Sequence, residues 1–356
     1  MLAAQDADQD HAPDENDPPR QWRLLLIGFL ALLAIFGLVL LIEHAAGYEG
    51  VLNRLRSADP AWLALAIGAE AISFTAFVAA TRGVFAMRGG KTIRYPTAAR
   101  LVLASLGASR AILGGGPAGI AIFLWGARKT GFPRSQAASR VLALYVLQFG
   151  VLATGTWLCA LSVVLSGRGL TLPHFTLPWL VAVPLLVAAA ARFRAPSLRE
   201  WIPGRIGGWL ENGLAEIEAG FAYVRAIASH PRKAAVLITA AALDWLGDAF
   251  CLWASLCAFG LLVRPDRFLL AYSTAYLVTL LPLPFAGIGT VEAMTVLSLR
   301  AIGVPVSAGF LAVLAYRAIN FWLPTVPGLI SLATLSRLGR RLAQARSQRA
   351  GTTLRR

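Results

Sequence analysis

Charged residues are scarce in this sequence. Asp, Glu, Lys and Arg make up only 14% of its 356 residues, whereas a soluble globular domain carries about 25%. Hydrophobic residues account for 57% of the chain, and they occur in long runs without a charge. A soluble domain needs a charged surface to face water, so this composition predicts an integral membrane protein.

Residues that build metal and redox sites are also few. The three cysteines (Cys159, Cys251 and Cys257) fall inside apolar runs, where a thiol behaves as a small hydrophobic group. Their spacing matches no zinc or redox motif, and the four histidines are scattered through tails and loops. The P-loop, nucleophile-elbow and H-E-x-x-H patterns are absent. We therefore expect no metal, no cofactor and no catalytic residue.

The first 23 residues differ from the rest of the chain because they are acidic. A cleavable signal peptide opens with a basic region, so we predict a disordered acidic tail over 1–23. Leu24 to Ile42 then forms 19 residues without a charge. At 1.5 Å per residue that run crosses a hydrocarbon core roughly 30 Å thick. It is the first predicted membrane-spanning helix.

Eight apolar stretches cover most of the chain. Basic residues lie between them, which is the pattern of the positive-inside rule and not that of a nucleic-acid-binding patch, although the net charge is +15. We therefore predict a multi-pass protein of the bacterial inner membrane and no nucleic-acid partner. The stretches are 24–42, 61–81, 101–127, 141–166, 179–193, 234–263, 268–299 and 306–335.

The basic segments do not fit eight simple spans. With a cytoplasmic N-terminus, the basic segments 128–140 and 192–233 would both face outwards, against the positive-inside rule. The middle of 101–127 contains Gly116, Pro117 and Gly119, and glycine and proline together interrupt a helix. Broken backbone at membrane depth is tolerated only inside protein or beside a cavity. We therefore predict a re-entrant hairpin that leaves 128–140 in the cytoplasm.

The stretch 268–299 is interrupted in the same way, by Pro284, Gly287 and Gly289. A second hairpin makes the fold an all-α integral membrane protein with about six full transmembrane helices and two broken hairpins, arranged as an inverted repeat. The membrane domain then covers 24–335. A basic tail, 336–356, lies in the cytoplasm with the N-terminus. The alternative is eight ordinary spans with glycine-rich contacts.

One segment between the spans has a helical apolar stripe. Hydrophobic residues recur at steps of three and four over about 203–228, while three glutamates fall off that stripe. This periodicity predicts an amphipathic helix. We expect it to lie along the cytoplasmic interface, with contact against the bundle as the alternative.

A small set of ionisable residues lies inside the apolar stretches. Charges at membrane depth are costly and need partners or water. One hypothesis is a substrate path in which Arg110, Glu292 and Arg317 act on an anionic group, with Glu70, Asp244 and Asp248 as a charge relay. The residues of the two breaks would contribute to the same substrate-binding site, namely Gly116, Pro117, Gly119, Pro284, Gly287 and Gly289. The alternative is a set of internal ion pairs that only fixes the helix register.

Three segments resemble a known family. The segment from Pro282 to Glu292 resembles the P-x-x-G-x-G-x-x-E signature of the lysylphosphatidylglycerol synthase transmembrane region, a flippase-like group. Tyr316-Arg317 with the prolines that follow is similar to that family's last helix, and Arg110 to Gly119 resembles its first motif. The resemblance covers roughly 24–335. It departs from the family pattern at 114–116, where three glycines replace a polar turn.

The resemblance implies a lipid-handling membrane protein. In the two-part synthases of this family, the transmembrane region moves lysyl-phosphatidylglycerol between leaflets, and a separate soluble domain synthesises it. The chain has no room for such a domain after its last helix, so we expect a lipid flippase and not an enzyme. Its expected partners are membrane lipids, and a lipid-biosynthetic enzyme is a further candidate.

Two alternatives stay open at this point. The first is a membrane-embedded enzyme that modifies a lipid, with Asp244 and Asp248 as acid, base or metal ligands, because they lie one helical turn apart. The second is a non-catalytic partner in the synthesis of lysyl-phosphatidylglycerol, a hopanoid or a glycolipid. Lipid movement, lipid conversion or neither, measured in liposomes, separates the three functions.

Overall fold

The computed structural model describes residues 56–87, 92–111, 116–167, 173–192, 207–277 and 288–334. Within these ranges the chain is helical and contains no strand. The predicted acidic tail (1–23), the first span (24–42) and the basic tail (336–356) lie outside them. The helices are α1 (Pro60–Ala86), α2 (Tyr95–Ala111), α3 (Gly116–Lys129), α4 (Arg134–Leu165), α5 (Pro173–Arg192), α6 (Gly207–Ala228), α7 (Pro231–Ala258), α8 (Pro265–Tyr276), α9 (Thr290–Ala301) and α10 (Val306–Arg317).

Four helices in the described ranges are long and apolar enough to cross a membrane. They are α1, α4, α7 and the last helix, which continues from α10 through a π-helical turn at Ala318–Trp322 and runs to Thr334. The apolar part of α5, Thr176–Ala190, is shorter. These helices confirm the all-helical, multi-pass architecture. The number of full spans stays a prediction.

Proline marks the start of several helices. It occupies one of the first two helical positions of α1, α7 and α8, where its fixed φ fits and its missing N–H costs nothing. Asp59 caps α1, since its side chain accepts a hydrogen bond from the Ala61 amide at 2.8 Å. The helix boundaries are therefore encoded locally.

Helices α1 and α7 form the most extensive helix pair in the described structure. They run antiparallel: the Asp59 amide donates to the Ala258 carbonyl at one end, and Gly83 meets Leu237 at the other. Near mid-length a Cβ on Gly247 would lie 2.7 Å from the Ala69 carbonyl oxygen. Helices in lipid associate through such small residues because apolar side chains gain little there by leaving the lipid.

Each half of the chain contains a pair of short helices where the sequence predicts a hairpin. Helices α2 and α3 run antiparallel, with Gly119 against Ser105 and Gly126 against Leu101. With 17 and 14 residues, they are about 26 and 21 Å long, less than a hydrocarbon core of about 30 Å. Helices α8 and α9 have 12 residues each and also contact one another. The membrane depth of both hairpins stays a prediction.

The basic segments meet at one end of the bundle. There the Phe85 and Phe132 rings lie 5.2 Å apart, and Arg134 is 3.4 Å from Glu216. We call this the basic end. The opposite end holds the start of α1 and the end of α7, where Trp62 contacts Trp253. The basic end collects Arg82, Arg94, Arg128, Lys129, Arg134, Arg140, Arg225, Arg232 and Lys233.

The two halves have the same order of elements and opposite directions. Helix α1 runs towards the basic end and is followed by the hairpin α2–α3 and then α4. Helix α7 runs away from the basic end and is followed by the hairpin α8–α9 and then the last helix. The described helices follow the order expected of the predicted inverted repeat. The repeat itself, whose first predicted span lies outside the described residues, stays a prediction.

The first hairpin meets the last helix backbone to backbone. A Cβ on Gly107 of α2 would lie 2.6 Å from the Gly328 carbonyl carbon, and one on Gly328 would lie 2.7 Å from the Leu103 carbonyl oxygen. Real Cβ atoms do not approach so closely, so these two positions need glycine. The contact brings the end of α2 to the π-helical turn of the last helix.

Helix α6 covers most of the segment predicted to be amphipathic, and it packs against the bundle. Gly220 contacts Leu142 of α4. The Tyr223 hydroxyl donates to the carbonyl oxygens of Val84 and Met87 at 2.7 and 3.2 Å. These carbonyls lie at the end of α1, where the regular intrahelical donors run out, and the Val84 carbonyl also accepts the Met87 amide. Tyr223 of α6 thus adds a donor at the basic end of α1.

Candidate functional site

The π-helical turn in the last helix is the centre of the candidate site. A π turn widens the helix and frees backbone carbonyls from the regular hydrogen-bond pattern, and such turns are frequent at functional sites. Arg110, at the end of α2, donates to the Phe321 carbonyl oxygen at 2.6 Å and to the Asn320 carbonyl oxygen at 3.0 Å. It also reaches the Thr325 hydroxyl at 3.2 Å. The fork of this guanidinium therefore joins the first hairpin to the last helix.

Arg317 begins the same turn and pairs with an acid of the second hairpin. Its Nε lies 2.6 Å from Glu292 Oε1, and only 8% of Arg317 and 7% of Glu292 is exposed. The other Glu292 oxygen accepts the Gly289 amide at 2.7 Å. Gly289 has φ 86°, a left-handed conformation that favours glycine. A buried carboxylate is thus held by a helix start and a guanidinium.

One donor of this ion pair has no acceptor. Arg317 Nη2 is buried and forms no hydrogen bond within the described ranges. A buried donor without a partner costs about 1–3 kcal/mol, more when it is charged. In native structures such groups usually meet water or a ligand.

The two arginines share one aromatic ring. The guanidinium carbon of Arg110 lies 4.7 Å from the centre of the Phe321 ring, and that of Arg317 lies 4.2 Å from it. Each contact is a favourable cation–π geometry. Two like charges this close repel each other, so the pair favours an anion nearby. We call Arg110, Arg317 and Phe321 the arginine cluster.

A second cluster of polar residues lies beside the π turn, on its α1 and α7 side. Asp248 is 6% exposed and accepts from the Tyr316 hydroxyl at 3.0 Å, from the Tyr272 hydroxyl and from the Asn320 amide. The Asn320 amide also reaches Glu70 Oε1 at 3.2 Å. One asparagine therefore bridges two carboxyl groups that come from α1 and α7.

Asp244 lies one turn before Asp248 and has its own donors. The Ser73 hydroxyl and the Gln148 amide each reach one of its oxygens at 2.7 Å. We call Glu70, Asp244 and Asp248 the carboxyl cluster. In the described part of the chain, no lysine or arginine lies within ion-pair distance of its members.

The remaining predicted site residues lie at the breaks of the hairpins. Gly116 and Pro117 begin α3, and Gly119 is where α3 meets the Ser105 carbonyl oxygen of α2, 2.8 Å from a Cβ built on it. Pro284 and Gly287 lie outside the described residues. The structure thus brings Arg110, Glu292 and Arg317 around one turn, and it brings Glu70 together with Asp248. Whether these residues bind a substrate stays a prediction.

A comparison with known families identifies the family that the sequence motifs resemble. The model of the lysylphosphatidylglycerol synthase TM region matches residues 26–328, which is most of the chain. The protein belongs to this family. None of the curated proteins compared with it is significantly similar to it.

Membership in the lysylphosphatidylglycerol synthase TM family associates the protein with lipid metabolism or lipid translocation. It also gives the buried charges a context, because they lie in a transmembrane region and not in a soluble domain. The two aspartates that suggested an enzyme are held by separate sets of donors. Among the described residues no group of three or more His, Cys, Asp or Glu is placed to hold a metal ion.

Several residues of the site carried little signal in the sequence. Tyr272, Tyr316, Gln148 and Asn320 supply most of the donors to the carboxyl cluster. Tyrosine is common in membrane helices, and an amide is less conspicuous than a charge. The rule that buried polar groups need partners could have identified them, since each lies within an apolar stretch.

Proposed function

We propose that this protein is a lipid flippase of the bacterial inner membrane. It moves an anionic or amphiphilic phospholipid between leaflets, and the arginine cluster receives the head group. The observation that carries the proposal is the buried Nη2 donor of Arg317, which has no acceptor among the described residues and lies beside a second guanidinium. A phosphate oxygen is the acceptor that such a donor fits best.

The position between two broken hairpins supports the proposal. In transporters built as inverted repeats, substrate sites lie near the midplane, where discontinuous helices meet. Arg110 ends α2 of the first hairpin, and Arg317 contacts Glu292 in α9 of the second. A head group at the arginine cluster is therefore in reach of both hairpins, and movement of the second hairpin relative to the first hairpin and the last helix would expose it to either leaflet.

The basic end gives the proposed orientation. Short loops rich in lysine and arginine stay in the cytoplasm, so we place the basic end there, with both termini. Membrane lipids are the proposed partners, together with an enzyme that supplies the lipid. The alternatives are a membrane-embedded lipid-modifying enzyme and a non-catalytic partner of lipid synthesis.

The experiment uses Arg317→Lys in liposomes that carry a fluorescent phosphatidylglycerol. Lysine keeps the positive charge beside Glu292, but it cannot present the second nitrogen of the fork. A lost hydrogen bond to a charged group is worth about 1.5–3 kcal/mol, so we expect transport per folded molecule to fall by about tenfold or more. Arg300→Lys is the matched control, because Arg300 is exposed and lies in α9, the helix that carries Glu292.

Each outcome has a definite meaning. Loss of transport in Arg317→Lys and normal transport in Arg300→Lys would support head-group binding at the arginine cluster. Equal transport by both variants and the parent protein would contradict it. Conversion of the labelled lipid would indicate an enzyme, and neither movement nor conversion by the parent protein would indicate a non-catalytic partner.

A further inference from the structure

The two polar clusters lack opposite kinds of hydrogen-bond partner. The arginine cluster has a donor without an acceptor, Arg317 Nη2. The carboxyl cluster has acceptors without donors: Glu70 Oε2 and Gln148 Oε1 are both buried and accept no hydrogen bond within the described ranges. An anion would complete the first cluster. A proton bound to a carboxyl group would supply a donor to the second cluster.

The Gln148 amide is the more informative of the two acceptors. Gln148 is only 3% exposed, and its nitrogen holds Asp244 at 2.7 Å. Its oxygen therefore lies at the carboxyl cluster with nothing to accept. The nitrogen and oxygen of an amide exchange places by a half-turn. After that turn, a protonated Asp244 would donate to the Gln148 oxygen, and the amide nitrogen would take the place of the unpaired oxygen. Gln148 can therefore hold Asp244 in either protonation state.

Glu70 lacks a donor for a different reason. Asp248 takes the hydroxyl groups of Tyr272 and Tyr316, and the bridging Asn320 amide has to serve both carboxyl groups. One Glu70 oxygen is then left without a hydrogen. Two adjacent carboxylates that form no ion pair with a described residue cannot both stay ionised cheaply in a buried site. A proton shared between Glu70 and Asp248 supplies the missing hydrogen and removes one of the two negative charges.

We propose that the carboxyl cluster is a proton-binding site that couples lipid movement to proton movement. One proton arrives from one side of the membrane, bonds to a carboxylate oxygen of Glu70, Asp244 or Asp248, and leaves from the same oxygen to the other side. No other bond is made or broken. The inference adds an energy source to the proposed flippase and rests on that function for the coupling, though not for the site.

The π-helical turn is the physical connection between the two clusters. The Asn320 backbone carbonyl is bonded to Arg110, while its side chain bridges Glu70 and Asp248. A proton that changes the bonds of the Asn320 amide therefore acts on the residue that Arg110 holds. Coupling needs such an element, whose arrangement both sites bias. The charged and titratable groups that face the carboxyl cluster are Arg110, Cys251, Tyr272, Tyr276, Tyr316 and Arg317.

The transport test imposes a pH gradient on proteoliposomes. The membrane potential is clamped with potassium and valinomycin, and a trapped dye reports the internal pH. If one proton moves with each lipid, a gradient of one pH unit shifts the leaflet distribution of labelled phosphatidylglycerol by up to about tenfold. The dye should report proton flux only in vesicles that contain the transported lipid. We expect the triple variant Glu70→Gln, Asp244→Asn and Asp248→Asn to lose both effects.

Thr156→Val is the matched control for the substitutions in the carboxyl cluster. Thr156 is 2% exposed and donates to the Ser273 hydroxyl at 2.7 Å, between α4 and α8. Removing the hydroxyl disturbs a buried interhelical hydrogen bond outside the carboxyl cluster. We therefore expect lipid movement in Thr156→Val to depend on the pH gradient as it does in the parent protein. Lipid movement that ignores the pH gradient, or follows a sodium gradient instead, would overturn the inference.

A second measurement does not depend on transport. Infrared difference spectra between acidic and alkaline buffer separate a carboxylic acid from a carboxylate. We expect a larger carboxylic acid band in the parent protein and in Thr156→Val than in the triple variant, which keeps only the other carboxyl groups of the chain. A band of equal size in the triple variant and in the parent protein would overturn the proton site. If no lipid moves under any condition, the flippase proposal fails, and these spectra still decide whether the proton site exists.

Discussion

The arginine cluster and the carboxyl cluster share one helical turn, yet they are stabilised differently. The arginines are held by two backbone carbonyls, a hydroxyl, a carboxylate and an aromatic ring. The carboxyl groups are held by neutral donors alone, namely hydroxyls and amides. Charge pairing fixes a geometry strongly, whereas neutral donors tolerate a change of protonation. We infer that the arginine cluster is a rigid binding element and that the carboxyl cluster can change its protonation state.

The ion pair in the arginine cluster allows the strongest test of this contrast. Glu292→Gln leaves Arg317 buried without its counter-charge, and we expect a loss of about 3–5 kcal/mol in the free energy of unfolding. Glu292→Gln combined with Arg317→Leu should cost less, because no charge is stranded. Thermal unfolding in detergent measures both. A double variant less stable than either single one would contradict simple pairing, and full lipid transport by it would contradict a role of the pair in binding.

Arg110 tests whether the fork of the guanidinium serves the fold. Lysine keeps the charge, but it cannot reach the Asn320 and Phe321 carbonyls in parallel. We expect Arg110→Lys to lose about 1.5–3 kcal/mol of stability, and Arg110→Gln to lose at least as much. Lipid transport is then measured per folded molecule in both variants. Unchanged stability with reduced transport would assign the fork to a head group and not to the π turn.

The carboxyl cluster should respond less to the loss of a single donor. Tyr316→Phe removes the hydroxyl that lies 3.0 Å from Asp248, but Tyr272 and Asn320 remain. We expect a loss of about 1–2 kcal/mol, detected by thermal unfolding. Thr156→Val, which removes a buried hydroxyl elsewhere, gives the reference value. A loss as large as that of Glu292→Gln would mean that the carboxyl cluster is as rigid as the arginine cluster.

The proposed orientation of the protein in the membrane is tested by cysteine labelling. Single cysteines at Thr130 and Thr171, in a background without Cys159, Cys251 and Cys257, are exposed to an impermeant thiol reagent in intact spheroplasts. We expect labelling at Thr171 and protection at Thr130, because Thr130 lies at the basic end. Lysed cells should label both. The reverse pattern in intact spheroplasts would overturn the proposed topology.

Membrane class and the breaks in the helices were predictable, because they depend on composition. Long uncharged runs predict membrane helices, and the Gly/Pro run at 114–119 falls where α2 ends and α3 begins. The charged candidates were equally accessible, since a charge within an apolar run is conspicuous. These signals are local in the chain and need no knowledge of the tertiary contacts.

The partners of those charges were not predictable in the same way. Arg110 binds carbonyls of the π turn. Pro324 lacks the N–H that would reach the Asn320 carbonyl, but nothing local in the chain indicates that Arg110 binds it. The carboxyl cluster depends on donors from α1, α4, α8 and the last helix, which only the tertiary fold brings together. The sequence therefore indicates which groups need partners, and the fold decides which ones they obtain.

The close contact between Gly107 and Gly328 has a mechanical consequence. Two backbones that touch cannot slide past one another without separating, and Arg110 fastens the same two helices close to that contact. The first hairpin and the last helix should therefore move as one rigid body. Any hinge that opens the site must then lie elsewhere, and the boundary between this body and the second hairpin is where motion should be sought.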